Sequence, residues 1–217
     1  MWDFLQNPIF QITIRSLYVS GTATLLAALW SLPIGMVIGM KNFWGKQLVK
    51  GVFNALLGMP TVALGLILYL LFSKSGPLGF LDLFPSLQAM IIGEAILVTP
   101  IIVSLTASAV ESVDPEIKDL AKTLGASEVE ASVTVLRESM GGVVLAIIAS
   151  FNRAIAELGV ALAVGANLRG RTQVLTTVIA MEVNRGNIEY SIQLMIILLA
   201  IVFTITILTN LLQRRIK

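Results

Sequence analysis

Arg153 and Glu157 lie four residues apart in Gly141–Ala166, a run that is otherwise apolar, and Asn152 precedes them. A charge in hydrocarbon costs at least about 3 kcal/mol, so such a group pairs or faces a watery path. Spacing of i, i+4 puts both side chains on one helix face, where they can meet. Two chemistries fit: an ion pair that fixes packing within one chain or across a dimer interface, or a guanidinium beside a polar route. In the second, the carboxylate positions the guanidinium and moderates its hold on an anion. Glu94, inside Leu87–Val110, is more isolated; it can pair with Arg153, line a cavity, or face water near a helix end. Asn167, Arg169 and Arg171 stand in a glycine-flanked stretch, Gly165–Arg171, that suits an anion-attracting mouth, a docking surface or an ordinary basic turn.

Other chemistries are excluded. The chain has no cysteine and no histidine, which removes thiolate metal sites, the commonest zinc ligand and the commonest general base. No catalytic group and no metal site is expected. Gly39–Gln47 resembles a phosphate-binding loop, but it has five residues where four are needed, and Gln47 has no hydroxyl for magnesium. The chain itself is therefore not expected to hydrolyse ATP. A net charge of +2 gives no reason to expect nucleic acid.

The elements that must hold these residues are membrane helices. Of 217 residues 56% are hydrophobic and only 13% charged, whereas a soluble domain has about a quarter charged. Runs of roughly 20 apolar residues occur at Leu17–Met40, Gly51–Ser73, Leu87–Val110, Gly141–Ala166 and Tyr190–Leu212, with a kink expected at Pro60. Val174–Val183 is too short to span and reads as a re-entrant or surface segment. Met1–Phe10 carries Asp3 and no basic residue, so a cleaved signal peptide is not expected. With five spans, nine Lys and Arg fall on the side of the C-terminus and five on the other, which predicts a cytoplasmic C-terminus and an external N-terminus.

One polar segment, 111–138, joins the third and fourth spans on the predicted cytoplasmic side. Asp114-Pro115-Glu116 is a helix start, with a capping acid and proline at the first position. Ile117, Leu120, Ala121 and Leu124 form a helical stripe, and Gly125 follows where a helix commonly ends. Ser127 and Glu130 have capping-box spacing. The segment reads as helix, tight turn, helix.

Asp119-Leu120-Ala121, three residues, Gly125, nine residues and Val135 resemble the EAA loop of ABC importer permeases. That pattern is Glu-Ala-Ala, three residues, Gly, nine residues, Ile, one residue, Leu-Pro. The run Ala121–Ser127 is similar to the oxyanion branch. Leu120 departs from the first Ala, and Arg137-Glu138 stands where Leu-Pro is usual; Val135–Glu138 looks like the tungstate type rather than the molybdate type. Phe151–Gly159 also resembles the corresponding stretch of molybdate permeases.

The resemblance implies an all-α integral membrane protein: one permease domain over 1–217, about five spans, and a cytoplasmic coupling helix between the third and fourth. It implies a homodimer in the prokaryotic plasma membrane, with two ATPase subunits that carry ATP and magnesium, and an external substrate-binding protein. Asp119, Leu120, Ala121, Leu124, Gly125 and Ala126 would couple to the ATPase. Asn152, Arg153 and Glu157 would lie along the route of an oxyanion, tungstate rather than molybdate. Asn167, Arg169 and Arg171 would form the external mouth or docking site. The competing classes are a permease for another small solute, an ATP-independent channel or carrier, and a membrane scaffold. The capped loop argues against the channel, and the buried charges argue against the scaffold.

Overall fold

The computed structural model describes residues 7–216, with side chains through Leu211. Asp3 and the side chains of Arg214, Arg215 and Lys217 lie outside the described residues. Among those described there is no strand. The helices are α1 (Pro8–Met40), α2 (Lys46–Leu56), α3 (Thr61–Phe72), α4 (Leu87–Glu111), α5 (Pro115–Thr123), α6 (Glu128–Ile155), α7 (Gly159–Gly165), α8 (Leu175–Asn184) and α9 (Ile188–Ile216). Four of them, α1, α4, α6 and α9, are long and apolar enough to cross a membrane, and the bent pair α2–α3 makes five if it counts as one span.

Local chemistry sets the helix starts. Asn7 Oδ1 accepts from Ile9 N at 2.9 Å ahead of α1, and Ser86 Oγ accepts from Ala89 N at 3.1 Å ahead of α4. Each side chain satisfies a donor that the first helical turn leaves unpaired.

Two expected spans are interrupted. Gly51–Ser73 is not one kinked helix, because α2 and α3 meet at 92°. Gly58 and Pro60 fall in the break, and Pro60 has no N–H to continue the ladder. Gly141–Ala166 breaks at residues 156–158, between α6 and α7. In the other direction, α6 begins at Glu128, so the second helix of the polar segment runs unbroken into the fourth span. Val174–Val183 corresponds to the ten-residue α8.

The chain divides into two compact units. One comprises residues up to 25, 59–97 and 151 onward. In it α3 packs on α7 and α8 on α9. The α3–α7 approach is close enough that a Cβ on Gly65 would fall 2.8 Å from Ala163 Cβ, and one on Gly159 would fall 3.0 Å from the Val62 backbone nitrogen. Ile12, Leu175, Val178 and Leu194 form a buried cluster. Ser16 Oγ accepts from Leu175 N at 2.7 Å, so α1 supplies a partner to the start of α8.

The other unit comprises 26–58 and 98–150. Ile38, Val103 and Ala107 are buried there, with Val49 and Phe53 packed against them. Glycine again brings helices together: a Cβ on Gly39 would lie 2.6 Å from Val110 Cβ and 2.9 Å from the Ala107 carbonyl. Trp30 Nε1 donates to Thr99 Oγ1 at 2.9 Å.

Candidate functional site

The polar segment is built as a stiff hairpin. Asp114 accepts from Glu116 N at 2.9 Å, and Pro115 opens α5. At the far end Gly125 has φ +94°. Gly125 N donates to the Lys122 carbonyl and Ala126 N to the Ala121 carbonyl, each at 3.0 Å. That pair of bonds is a Schellman closure, which needs a left-handed residue at the position of Gly125. A Cβ there would meet nothing within 4 Å, so within this chain glycine is required by backbone conformation and not by close packing. Ser127 and Glu130 then cap each other: Ser127 N donates to Glu130 Oε2 at 2.7 Å, and Glu130 N donates to Ser127 Oγ at 3.3 Å.

Ion pairs tie the two arms. Glu128, in the first turn of α6, takes Lys118 Nζ on one oxygen at 2.5 Å and Lys122 Nζ on the other. The hydrogen bond to Glu128 holds the Lys122 ammonium above the ordinary lysine range. The predicted stripe divides: Ile117 and Ala121 are half-buried, while Leu120 is 60% and Leu124 80% exposed. Asp119 and Gly125 are exposed and Ala126 is half-buried. The hairpin thus presents an apolar tip rimmed by charge, which is the composition of a surface made to be covered.

Arg153 and Glu157 do meet, Nη1 to Oε2 at 2.7 Å, but not as two residues of one helix. Arg153 is in the last turn of α6, and Glu157 lies in the break after it. Glu157 is almost wholly buried and has several ties. Its Oε1 accepts from Val160 N at 3.0 Å, and its carbonyl accepts from Thr176 Oγ1 at 2.7 Å. The Arg153 side chain keeps 39% of its surface accessible. The pair is therefore asymmetric, with an anchored acid and a half-free base. Asn152 Nδ2 donates to Thr206 Oγ1 at 2.8 Å, and its Oδ1 is buried without a partner.

Glu94 does not face water. It is 2% exposed, and its Oε2 is buried without a partner.

Asn167, Arg169 and Arg171 sit in a folded turn. Ala166, Asn167 and Gly170 have positive φ. Thr172 Oγ1 accepts from Leu168 N at 2.8 Å and donates to the Gly165 carbonyl at 2.5 Å. Asn167 Nδ2 contacts Met181 Sδ at 3.2 Å, while Arg169 and Arg171 are exposed. Asn167 Oδ1 is buried without a partner, and the two arginines are presented to the outside of the unit.

Residues 31–217 match the family described as binding-protein-dependent transport system inner membrane component. The chain belongs to this family. A probable anion ABC transporter permease protein of Haloferax volcanii is 41% identical over 196 residues, covering 88% of this chain and 84% of that one. The tungstate uptake system permease protein TupB of Peptoclostridium acidaminophilum is 38% identical over 197 residues, covering 91% of this chain and 86% of its own. A solved MetNI methionine ABC transporter in an inward-facing conformation shares the fold, with a TM-score of 0.76 at 16% identity over 100% of this chain and 97% of that chain.

One cluster in this permease escapes a reading of the sequence. Glu111, the last residue of α4, takes Lys46 Nζ at 3.0 Å and Lys50 Nζ at 2.6 Å. The lysines are legible only as positive charges in a loop, since their partner is 61 positions or more away in the chain. Two of the charges that set the predicted orientation are thus bound to a carboxylate. Glu182 is similarly committed, to Arg185 Nη1 at 3.0 Å and Asn187 Nδ2 at 2.9 Å.

Proposed function

We propose that this chain is the membrane-spanning subunit of an ABC importer that moves an oxyanion inward, tungstate in preference to molybdate. The observation that carries this is the 38% identity, over nearly the whole chain, to a tungstate uptake permease. The 41% identity to a probable anion permease supports the same substrate class. Two copies of the chain form the pore, two separate ATPase subunits hold ATP and magnesium, and an external binding protein delivers the anion. The C-terminus is cytoplasmic and the N-terminus external.

In this reading the hairpin 114–130 is the coupling element. Leu120 and Leu124 enter a groove on the ATPase, with Asp119 at the rim and Ala121, Gly125 and Ala126 shaping the turn. The Schellman closure, the capping box and the Glu128 ion pairs support that role, because a stiff element passes on a displacement that a soft loop would absorb. Arg153 meets the anion in passage, and Glu157 keeps the guanidinium from binding it too tightly. Asn152 orients the neighbouring wall. Arg169 and Arg171 draw the anion to the external mouth or receive the binding protein, and Asn167 holds their turn.

The test is uptake into proteoliposomes that contain the chain, its co-purifying ATPase and its binding protein, with tungstate, molybdate and sulfate compared. ATP-dependent uptake with tungstate favoured is the expected result. ATP hydrolysis without uptake of any of the three would remove the oxyanion. Absence of an associated ATPase would remove the importer.

A further inference from the structure

Two lysines share one carboxylate at the end of α4, which leaves a positive charge over. Glu111 takes Lys46 and Lys50 on its two oxygens. Lys46 Nζ also reaches the Gly39 carbonyl, 3.5 Å away in the last turn of α1. Among the described residues Lys50 Nζ bonds Glu111 alone, at 2.6 Å. An ammonium carries three donors, so two of its protons remain to be used. Lys50 also lines a cavity of about 120 Å³ between α1, α2 and α4, together with Asn54, Ser104 and Ser108. We propose that this cavity binds a tetrahedral oxyanion, free in solution or carried on a lipid headgroup.

The cavity has the form of a small-ligand site, an apolar wall with a few convergent polar groups. Its wall is the buried apolar cluster of this unit, with Phe53 packed against it. The polar groups are an ammonium, an amide and two hydroxyls, and among the described lining residues there is no acid. Each of the four can donate to an oxygen. Ser104 Oγ is buried and bonds nothing, whereas buried polar atoms are nearly always satisfied. Ser104 stands seven positions before Glu111, roughly 10 Å along the helix. The apolar wall there lowers the local dielectric and strengthens a charge-assisted bond. Size agrees: at roughly 30 Å³ per water the volume equals about four waters, and a tetrahedral oxyanion brings four oxygens. Charge agrees as well, because two lysines against one glutamate leave a surplus that an anion neutralises and a neutral ligand would not. Arg153 is not among the lining residues. The choice of tungstate as the free probe rests on the proposed substrate class; the chemistry of the cavity does not.

The test measures tungstate binding to the permease–ATPase complex in detergent, without the binding protein, by equilibrium dialysis. Saturable binding is expected in the wild type. Lys50→Gln should weaken it at least about tenfold, and Ser104→Ala about threefold. Adding short-chain phosphatidylglycerol separates the two sources. Competition with tungstate in the wild type would assign the site to a headgroup phosphate, and no competition would assign it to the free anion. No saturable binding, or equal affinity in a well-folded Lys50→Gln chain, would overturn the proposal. If Lys50→Gln does not insert, Ser104→Ala with Asn54→Ala replaces it, and wild-type affinity in that double variant overturns the proposal as well. Binding that depends on Lys50, in a complex that takes up none of the three anions, would remove the proposed substrate and keep this site. Normal tungstate uptake with binding indifferent to Lys50 would do the reverse.

Discussion

Arg153 reaches Glu157 across a helix end, from the last turn of α6 into the break that precedes α7, at 2.7 Å. The same carboxylate bonds Val160 N with its other oxygen. One acid therefore joins a side-chain pair to the start of the next helix, and the break keeps its shape without a proline.

Glu157→Gln should keep the bond to Val160 N, because the amide oxygen can still accept, but lose the ionic half. Breaking a fully buried pair costs about 3–5 kcal/mol. Arg153 is more than a third exposed, so screening reduces this to about 1–2 kcal/mol. Denaturant unfolding in detergent measures it. Unchanged stability would mean that the pair contributes nothing to packing.

Gly125→Leu should destabilise the hairpin turn by about 1–2 kcal/mol, the usual penalty of a left-handed conformation for an L side chain. There is room for the side chain, so insertion should survive and only the geometry of the turn should suffer. ATP-driven uptake should fall well below wild type. Normal uptake by a well-inserted Gly125→Leu chain would remove the coupling role of the turn.

Leu120→Ser with Leu124→Ser should leave the isolated chain about as stable as before, within roughly 0.5 kcal/mol for exposed positions. ATPase co-purification should drop at least about tenfold, since each leucine buried in a partner contributes about 1.5–3 kcal/mol. Undiminished co-purification would mean that the apolar tip is not the contact.

Gly39→Ala should cost about 1–3 kcal/mol, as overpacking does. Its new Cβ would press on the Ala107 carbonyl at 2.9 Å, and backbone does not step aside as a flexible side chain can. A lowered unfolding temperature with the helical circular dichroism retained is the expected result. An unchanged temperature would show that α1 and α4 can separate there without penalty.

Signals carried by a few neighbouring residues were legible in the sequence. Asp114, Pro115, Gly125, Ser127 and Glu130 each do in the structure what their type and spacing imply, because capping and turn closure are decided within five or six residues. The apolar runs were legible for the same reason. Signals that depend on distant neighbours were not. The break at residues 156–158 contains no proline. Gly159 just after it lies close against Thr61 and Val62 of α3, a contact that no local pattern records. The pairing of Glu111 with Lys46 and Lys50 and the burial of Glu94 belong to the same class. For Arg153 and Glu157 the spacing predicted the contact correctly but the wrong backbone beneath it, since a pair four apart meets equally well across a helix end.

The length of α6 has a mechanical consequence. Its 28 residues make a rod of about 42 Å at 1.5 Å per residue, with Ser127 capping one end and Arg153 in the final turn at the other. No proline and no break interrupts it before residue 156, but Gly141 and Gly142 stand side by side near its middle, where a helix bends most readily. A bending force on this helix therefore meets two places that can yield, the glycine pair at its middle and the break beside the guanidinium.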